Sequence, residues 1–107
     1  MSDEQAWTPV ARVGDVPEND AIEVIVDGRC LAVFNLGGRI CATAGICTHA
    51  HARLAEGYLD GEIVECPLHQ GLFHVPTGKA VGAPATRDLE TFAVRITDGK
   101  ILVRLAG

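Results

Sequence analysis

The sequence predicts an all-β domain, on three observations. Asp27-Gly28, Gly37-Gly38, Asp60-Gly61 and Asp98-Gly99 are paired turn residues whose backbones tolerate the positive φ of tight hairpins. Each lies between short runs rich in Val, Ile and Phe, too short for stable helices. The only stretch with modest helix potential, ARLAEG, is about one turn long.

Taken in order, AIEVIV and CLAVFNL flank the first turn, and RICATA follows the second. EIVEC follows the third, and TFAVRI and KILVRL flank the last. FAVRI and ILVRL alternate apolar residues with Arg95 and Arg104, which predicts a terminal hairpin with one wet and one buried face. Cys30 and Cys41 fall inside predicted strands, where a small thiol behaves as an ordinary buried core residue, so neither is assigned a function. Trp7, Tyr58 and the three phenylalanines are read as core packing or packing near a site.

At 107 residues the chain is one domain, residues 1–107, with enough length for a single core. A net charge of −5 removes any electrostatic case for nucleic acid, which needs a basic face to neutralise phosphates, and for anionic membrane surfaces. The charge is lopsided. Asp3, Glu4, Asp15, Glu18, Asp20, Glu23 and Asp27 face a single Arg12 in the amino-terminal quarter, which predicts a solvated acidic face or a docking surface for a basic partner. No apolar run has the length of a membrane span, and MSDEQAWTPV is acidic where a secretory leader is basic and then apolar. The expected location is the cytoplasm, where four cysteines point to metal ligation or free thiols rather than disulfides.

Residues 45–85 differ in texture from the rest. Gly45, Gly57, Gly61, Gly71, Gly78, Gly82, Pro67, Pro76 and Pro84 crowd a segment that also holds all four histidines, Cys47 and Cys66. This predicts a loop-built site on a β base. Cys47 and His49 are two positions apart and point to one side of an extended loop, while Cys66 and His69 are three apart, a spacing that a turn converges. Structural zinc templates take two like ligands from each loop. Here each loop offers one sulfur and one nitrogen, which suits a two-iron cluster with both thiolates on one iron and both imidazoles on the other. Spacing leaves open a zinc site, or buried cysteines with unrelated surface histidines. A Cys66 nucleophile with His69 as its base is a further reading, and it leaves Cys47 and His49 unexplained.

CTH, then sixteen residues, then CPLHQG resembles the Rieske motif. The flanks GYLDGEIVECPLHQGLF, PTGKA and GAPAT are similar to those of Rieske ferredoxins from bacterial aromatic-ring-hydroxylating dioxygenase systems. The resemblance implies stacked antiparallel sheets with a small cluster-binding subdomain at about residues 45–85. It implies one 2Fe-2S cluster, with Cys47 and Cys66 on the inner iron and His49 and His69 on the outer, more exposed iron. Gly71 would let the backbone approach a bridging sulfide, and Gly82-Ala83-Pro84 resembles the proline loop that covers the cluster. The implied job is that of a soluble, monomeric one-electron carrier between a flavin-dependent NAD(P)H reductase and a terminal ring-hydroxylating oxygenase. Such a carrier has no substrate pocket and is not itself an enzyme. The alternative from the enzyme class is a small Rieske subunit of another oxidoreductase, such as nitrite reductase. Such subunits often lack cluster ligands, and all four are present here. A zinc-stabilised interaction domain is the structural alternative, and it would be colourless.

The chain departs from respiratory Rieske proteins in two ways. Their loop disulfide has no counterpart, because Ala52 and Leu68 occupy the matching positions, and their serine and tyrosine hydroxyls are replaced by Gly71 and Phe73. Fewer donors to the cluster predict a low reduction potential within the family. His51 and His74 are left over and are read as surface histidines, since an oxygenase iron needs two histidines and a carboxylate with open positions.

Overall fold

Each Asp-Gly pair that connects two long strands takes the same turn. Asp27 and Gly28 have φ of 51° and 76°, and Asp98 and Gly99 have φ of 52° and 74°, the two successive positive values that suit a type I′ hairpin. The computed structural model describes residues 7–46, 52–67, 71–83 and 87–105. Among them the strands are β1 (Trp7–Arg12), β2 (Asp20–Val26), β3 (Arg29–Leu36), β4 (Arg39–Ala44), β5 (Tyr58–Asp60), β6 (Ile63–Glu65), β7 (Leu72–His74), β8 (Lys79–Gly82), β9 (Thr91–Thr97) and β10 (Lys100–Arg104). The all-β expectation is met, and ARLAEG forms a single 3-10 turn at Leu54–Glu56.

Two antiparallel sheets result. The larger runs β1-β10-β9-β4-β3-β2 and the smaller β5-β6-β7-β8. Val10 of β1 and Ile22 and Val24 of β2, from opposite ends of the larger order, pack against one core of Val16, Val33 and Ile101. The larger sheet therefore curls around its own interior. Residues alternate faces along a strand, so β3 sends Leu31 and Val33 into that interior, while Ala32 and Phe34 emerge on the other side. Burial on both faces explains why CLAVFNL reads as a continuous apolar run.

Ala32, Phe34 and Cys41 meet Leu54, Val64, Cys66, Phe73, Val75 and Leu89 in a second core. This core joins the smaller sheet to the larger. Asn35 ends the apolar run of β3 as a buried polar residue whose groups are satisfied: its Nδ2 donates to the Val16 carbonyl at 3.0 Å and its Oδ1 accepts from the Gly38 N–H at 2.7 Å.

Several expectations need correction. The β5–β6 ladder still includes Asp60 opposite Ile63, so Gly61 and Glu62 make the connection: Gly61 has the positive φ expected of it, but the turn falls one residue later than Asp60-Gly61. Cys30 is only half-buried, because it stands near the end of β3 opposite the exposed Ile25. Tyr58 is 69% exposed and is not core. Trp7 packs against two guanidinium groups, those of Arg95 and Arg104, each 4.9 Å from its ring centroid. The terminal hairpin buries Phe92, Ile101 and Val103 as expected, but at its tip Ile96, opposite Ile101, remains exposed.

Candidate functional site

One row of cross-strand partners organises the site. Tyr58 pairs with Glu65, Glu65 with Leu72, and Leu72 with Gly82, so a single line crosses all four strands of the smaller sheet. The chain leaves this line into two loops, and a third reaches it at Tyr58 from the larger sheet. The central loop runs from Cys66 to Gly71 and is closed where the Cys66 N–H donates to the Gly71 carbonyl at 2.8 Å. The second lies between Gly82 and Arg87, and Gly82 is pressed so closely on Leu72 that a β-carbon there would stand 2.8 Å from Leu72 Cδ1.

The third loop, between Ile46 and Arg53, is closed by an antiparallel bridge between those two residues. Beneath the bridge the Leu54 N–H donates to the Gly45 carbonyl at 2.8 Å, and the Gly45 N–H donates to the Cys30 carbonyl at 2.9 Å. The Leu54–Glu56 turn then carries this loop to the smaller sheet, because Gly57 lies against the Glu65 carbonyl oxygen with no room for a β-carbon. Leu54 and Cys66, at the roots of the two loops, share one core and are both 0% exposed.

Of the sequence-derived site residues, Cys66 is placed at the root of the central loop, while Cys47, His49 and His69 lie outside the described residues, as do His51 and Pro84. Cys66 is fully buried at the root of the central loop. A thiolate sealed from water is costly unless a cation compensates its charge, which a metal bound at the loop root would do. The segments rooted beside it carry Cys47 and three histidines, His49, His51 and His69, in sequence, and soft thiolates with imidazoles are the donor set of a Rieske cluster.

The other cysteines have a different character. Burial, then the neighbouring Glu23 carboxylate, push the Cys30 thiol up, against the opposing pull of Arg53. Burial also pushes Cys41 up, with Arg39 opposing it. In both, burial favours the neutral thiol. His74 stands at the far end of the smaller sheet from the loops. Its Nδ1 is 2.8 Å from Thr77 Oγ1, and its Nε2 is 3.1 Å from Glu62 Oε1. It is therefore engaged in a turn network and not merely a surface group. Phe73 is fully buried between the sheets. Sequence reasoning counted Gly57 in the glycine-rich segment but gave neither it nor Leu54 the role of bringing two loops together.

A family model for the Rieske [2Fe-2S] domain matches residues 6–93. The chain is 42% identical over 101 residues to a Ralstonia protein, the ferredoxin component of naphthalene 1,2-dioxygenase/salicylate 5-hydroxylase systems, covering 94% of this chain and 97% of that one. It is also 42% identical to the ferredoxin component of the Pseudomonas putida naphthalene 1,2-dioxygenase system, covering 94% of this chain and 96% of the relative. Among solved structures, the Sphingomonas yanoikuyae B1 ferredoxin superposes with a TM-score of 0.89 at 34% identity, covering 92% of this chain and 98% of that one. A chain from a complex of reduced oxygenase and oxidised ferredoxin in carbazole 1,9a-dioxygenase gives 0.87 at 38% identity, with 94% of each chain covered. With a matching donor set, fold and family model, this chain belongs to the Rieske [2Fe-2S] domain family.

Proposed function

We propose that the chain is the ferredoxin component of an aromatic-ring-hydroxylating dioxygenase system, a one-electron carrier that receives electrons from a flavin-dependent NAD(P)H reductase and delivers them to a terminal oxygenase. The observation that carries this reading is the near full-length similarity to curated ferredoxin components of such systems. Similarity to terminal oxygenases is at the level of fold, since one such match is 20% identical and this chain spans 30% of it.

The bound 2Fe-2S cluster supplies reversible one-electron storage. In this reading Cys47 and Cys66 hold the inner iron, and His49 and His69 hold the outer iron. Residues 1–107 act as one domain, with the cluster-binding part at about 45–85. The Cys66–Gly71 closure and the Ile46–Arg53 bridge support it, because each holds the root of one ligand loop on a rigid ladder. Partners would dock at the loop end around His49 and His69. No helix among the described residues is long and apolar enough to cross a membrane, and a monomer in the cytoplasm fits the acidic sequence.

Reconstitution tests the proposal. Purified holoprotein alone should oxidise neither NADH nor an aromatic compound, and adding a matched reductase and oxygenase should restore electron flow. If the acidic face steers encounter with a partner, transfer should slow as salt rises. Turnover by the isolated chain would overturn the carrier reading. A colourless, EPR-silent protein that holds zinc would overturn the cluster assignment.

A further inference from the structure

The Ile46–Arg53 loop is fastened to the larger sheet by charge as well as by backbone. Glu23 stands on β2 opposite Ala32 of β3, and the preceding residue on its face, Ala21, packs against the inter-sheet core. The Glu23 side chain is 25% exposed, and its Oε1 is sealed from solvent without a hydrogen-bond partner. Its neighbour is Arg53 Nε at 3.5 Å. Arg53 is the closing residue of the loop through its bridge to Ile46. Cys30 completes the cluster. Its carbonyl accepts the Gly45 N–H, and its Sγ occupies the space that a β-carbon on Gly45 would need, 2.5 Å away.

We propose that Glu23 and Arg53 form a charged clamp that positions the first ligand loop on the larger sheet, with Cys30 and Gly45 as its backbone counterpart, and that this clamp sets the geometry of the cluster ligands. The inference rests on the reading of Cys47 and His49 as ligands, which lie within the clamped loop. A sealed carboxylate oxygen is an expensive group to leave unpaired, so Glu23 holds the guanidinium in place even though the Arg53 side chain is 60% exposed. Because Arg53 belongs to the loop and Glu23 to the sheet, the pair couples a non-local strand to the iron site.

The test uses full-length holoprotein and its Glu23→Gln, Arg53→Gln, double and Arg53→Lys variants. Two quantities are read: the rate of cluster release to an iron chelator, and the reduced-state EPR line shape, which reports ligand geometry in the molecules that keep their cluster. The clamp predicts faster release by up to about fivefold in each single Gln variant, the factor carried by ~1 kcal/mol of ion pairing, together with an altered line shape. It predicts a double variant no worse than the worse single, and Arg53→Lys close to the parent, since one contact to a cation is enough. Parental release and line shape in Glu23→Gln would overturn the clamp, and so would single effects that multiply in the double, or an Arg53→Lys as impaired as Arg53→Gln. A His49→Ala control separates the two readings. Loss of the Rieske signal there with a silent Glu23→Gln overturns the clamp alone, whereas a retained signal in His49→Ala overturns the ligand assignment.

Discussion

Gly57 lies so close to the carbonyl oxygen of Glu65 that a β-carbon at residue 57 would overlap it. The Gly57 backbone itself is ordinary, with φ −77° and ψ 176°, so any cost of substitution is steric. Gly57→Ala must push the Leu54–Glu56 turn away from the strand that leads into Cys66. A loss of about 1–3 kcal/mol is expected from such overpacking. Thermal unfolding measures it, and the iron content of the purified variant should fall with it. An unchanged melting temperature would show that the turn can shift without cost.

Gly61 makes the contrast. Its φ is +61° and nothing lies within 4 Å of a β-carbon built there, so Gly61→Ala carries only a left-handed backbone penalty of about 1–2 kcal/mol. It sits at the end of the smaller sheet away from the loops. Stability should drop while the cluster spectrum and iron content stay at parental values, as read by denaturant titration beside EPR.

Because the central loop is rooted on short strands while the Ile46–Arg53 loop is tied to the larger sheet, their cross-link should matter more to the smaller sheet than to the larger. Removing the cluster should weaken hydrogen-exchange protection at the amides of Leu54, Val64, Cys66 and Phe73 before those of Val33 and Ile101. Equal loss of protection in both sheets would mean that the two unfold as one unit.

The elements legible in the sequence are those whose signal is local. Asp27-Gly28 and Asp98-Gly99 declare hairpins because few other pairs take two positive φ values cheaply, and RICATA matches β4 at both ends. Strands β5 and β7, three residues each, and the four-residue β8 carry too little alternation to be seen, and Pro9 disguises β1, an edge strand where proline is tolerated. The candidate site was legible as a ligand pattern, since Cys66 and its companions are spaced along the chain. The pairing of Glu23 with Arg53 was not, because only the packing of β2 against the Leu54–Glu56 turn brings those side chains together.

Cys30 and Cys41 lead to a pH dependence. Both thiols are raised above the ordinary value of 9.0, chiefly by burial, so the folded chain holds these protons more tightly than the unfolded chain does. That contribution to stability is complete below about pH 9 and is lost as pH rises through the folded values. Urea midpoints should therefore fall between neutral pH and pH 10, and Cys41→Ala should flatten the decline while leaving the Rieske EPR signal intact. Bleaching of Cys30→Ala or Cys41→Ala would instead place one of these thiols on iron.

The reduction potential is the last expectation. A cluster gains electron affinity from hydrogen-bond donors aimed at its sulfurs, and two positions that carry hydroxyls in respiratory Rieske proteins are Gly71 and Phe73 here. Gly71 uses its carbonyl to close the Cys66 loop, and the Phe73 ring is committed to the core between the sheets, opposite Val64. Neither side chain offers a proton donor. The potential should therefore lie toward the lower end of the Rieske range of roughly −150 to +300 mV, as read by protein-film voltammetry. A value well above zero would mean that backbone N–H groups or burial of the loops replace the missing hydroxyls. In that case substituting Gly71 with serine should raise the potential little further, whereas a low parental potential should rise clearly on the same change.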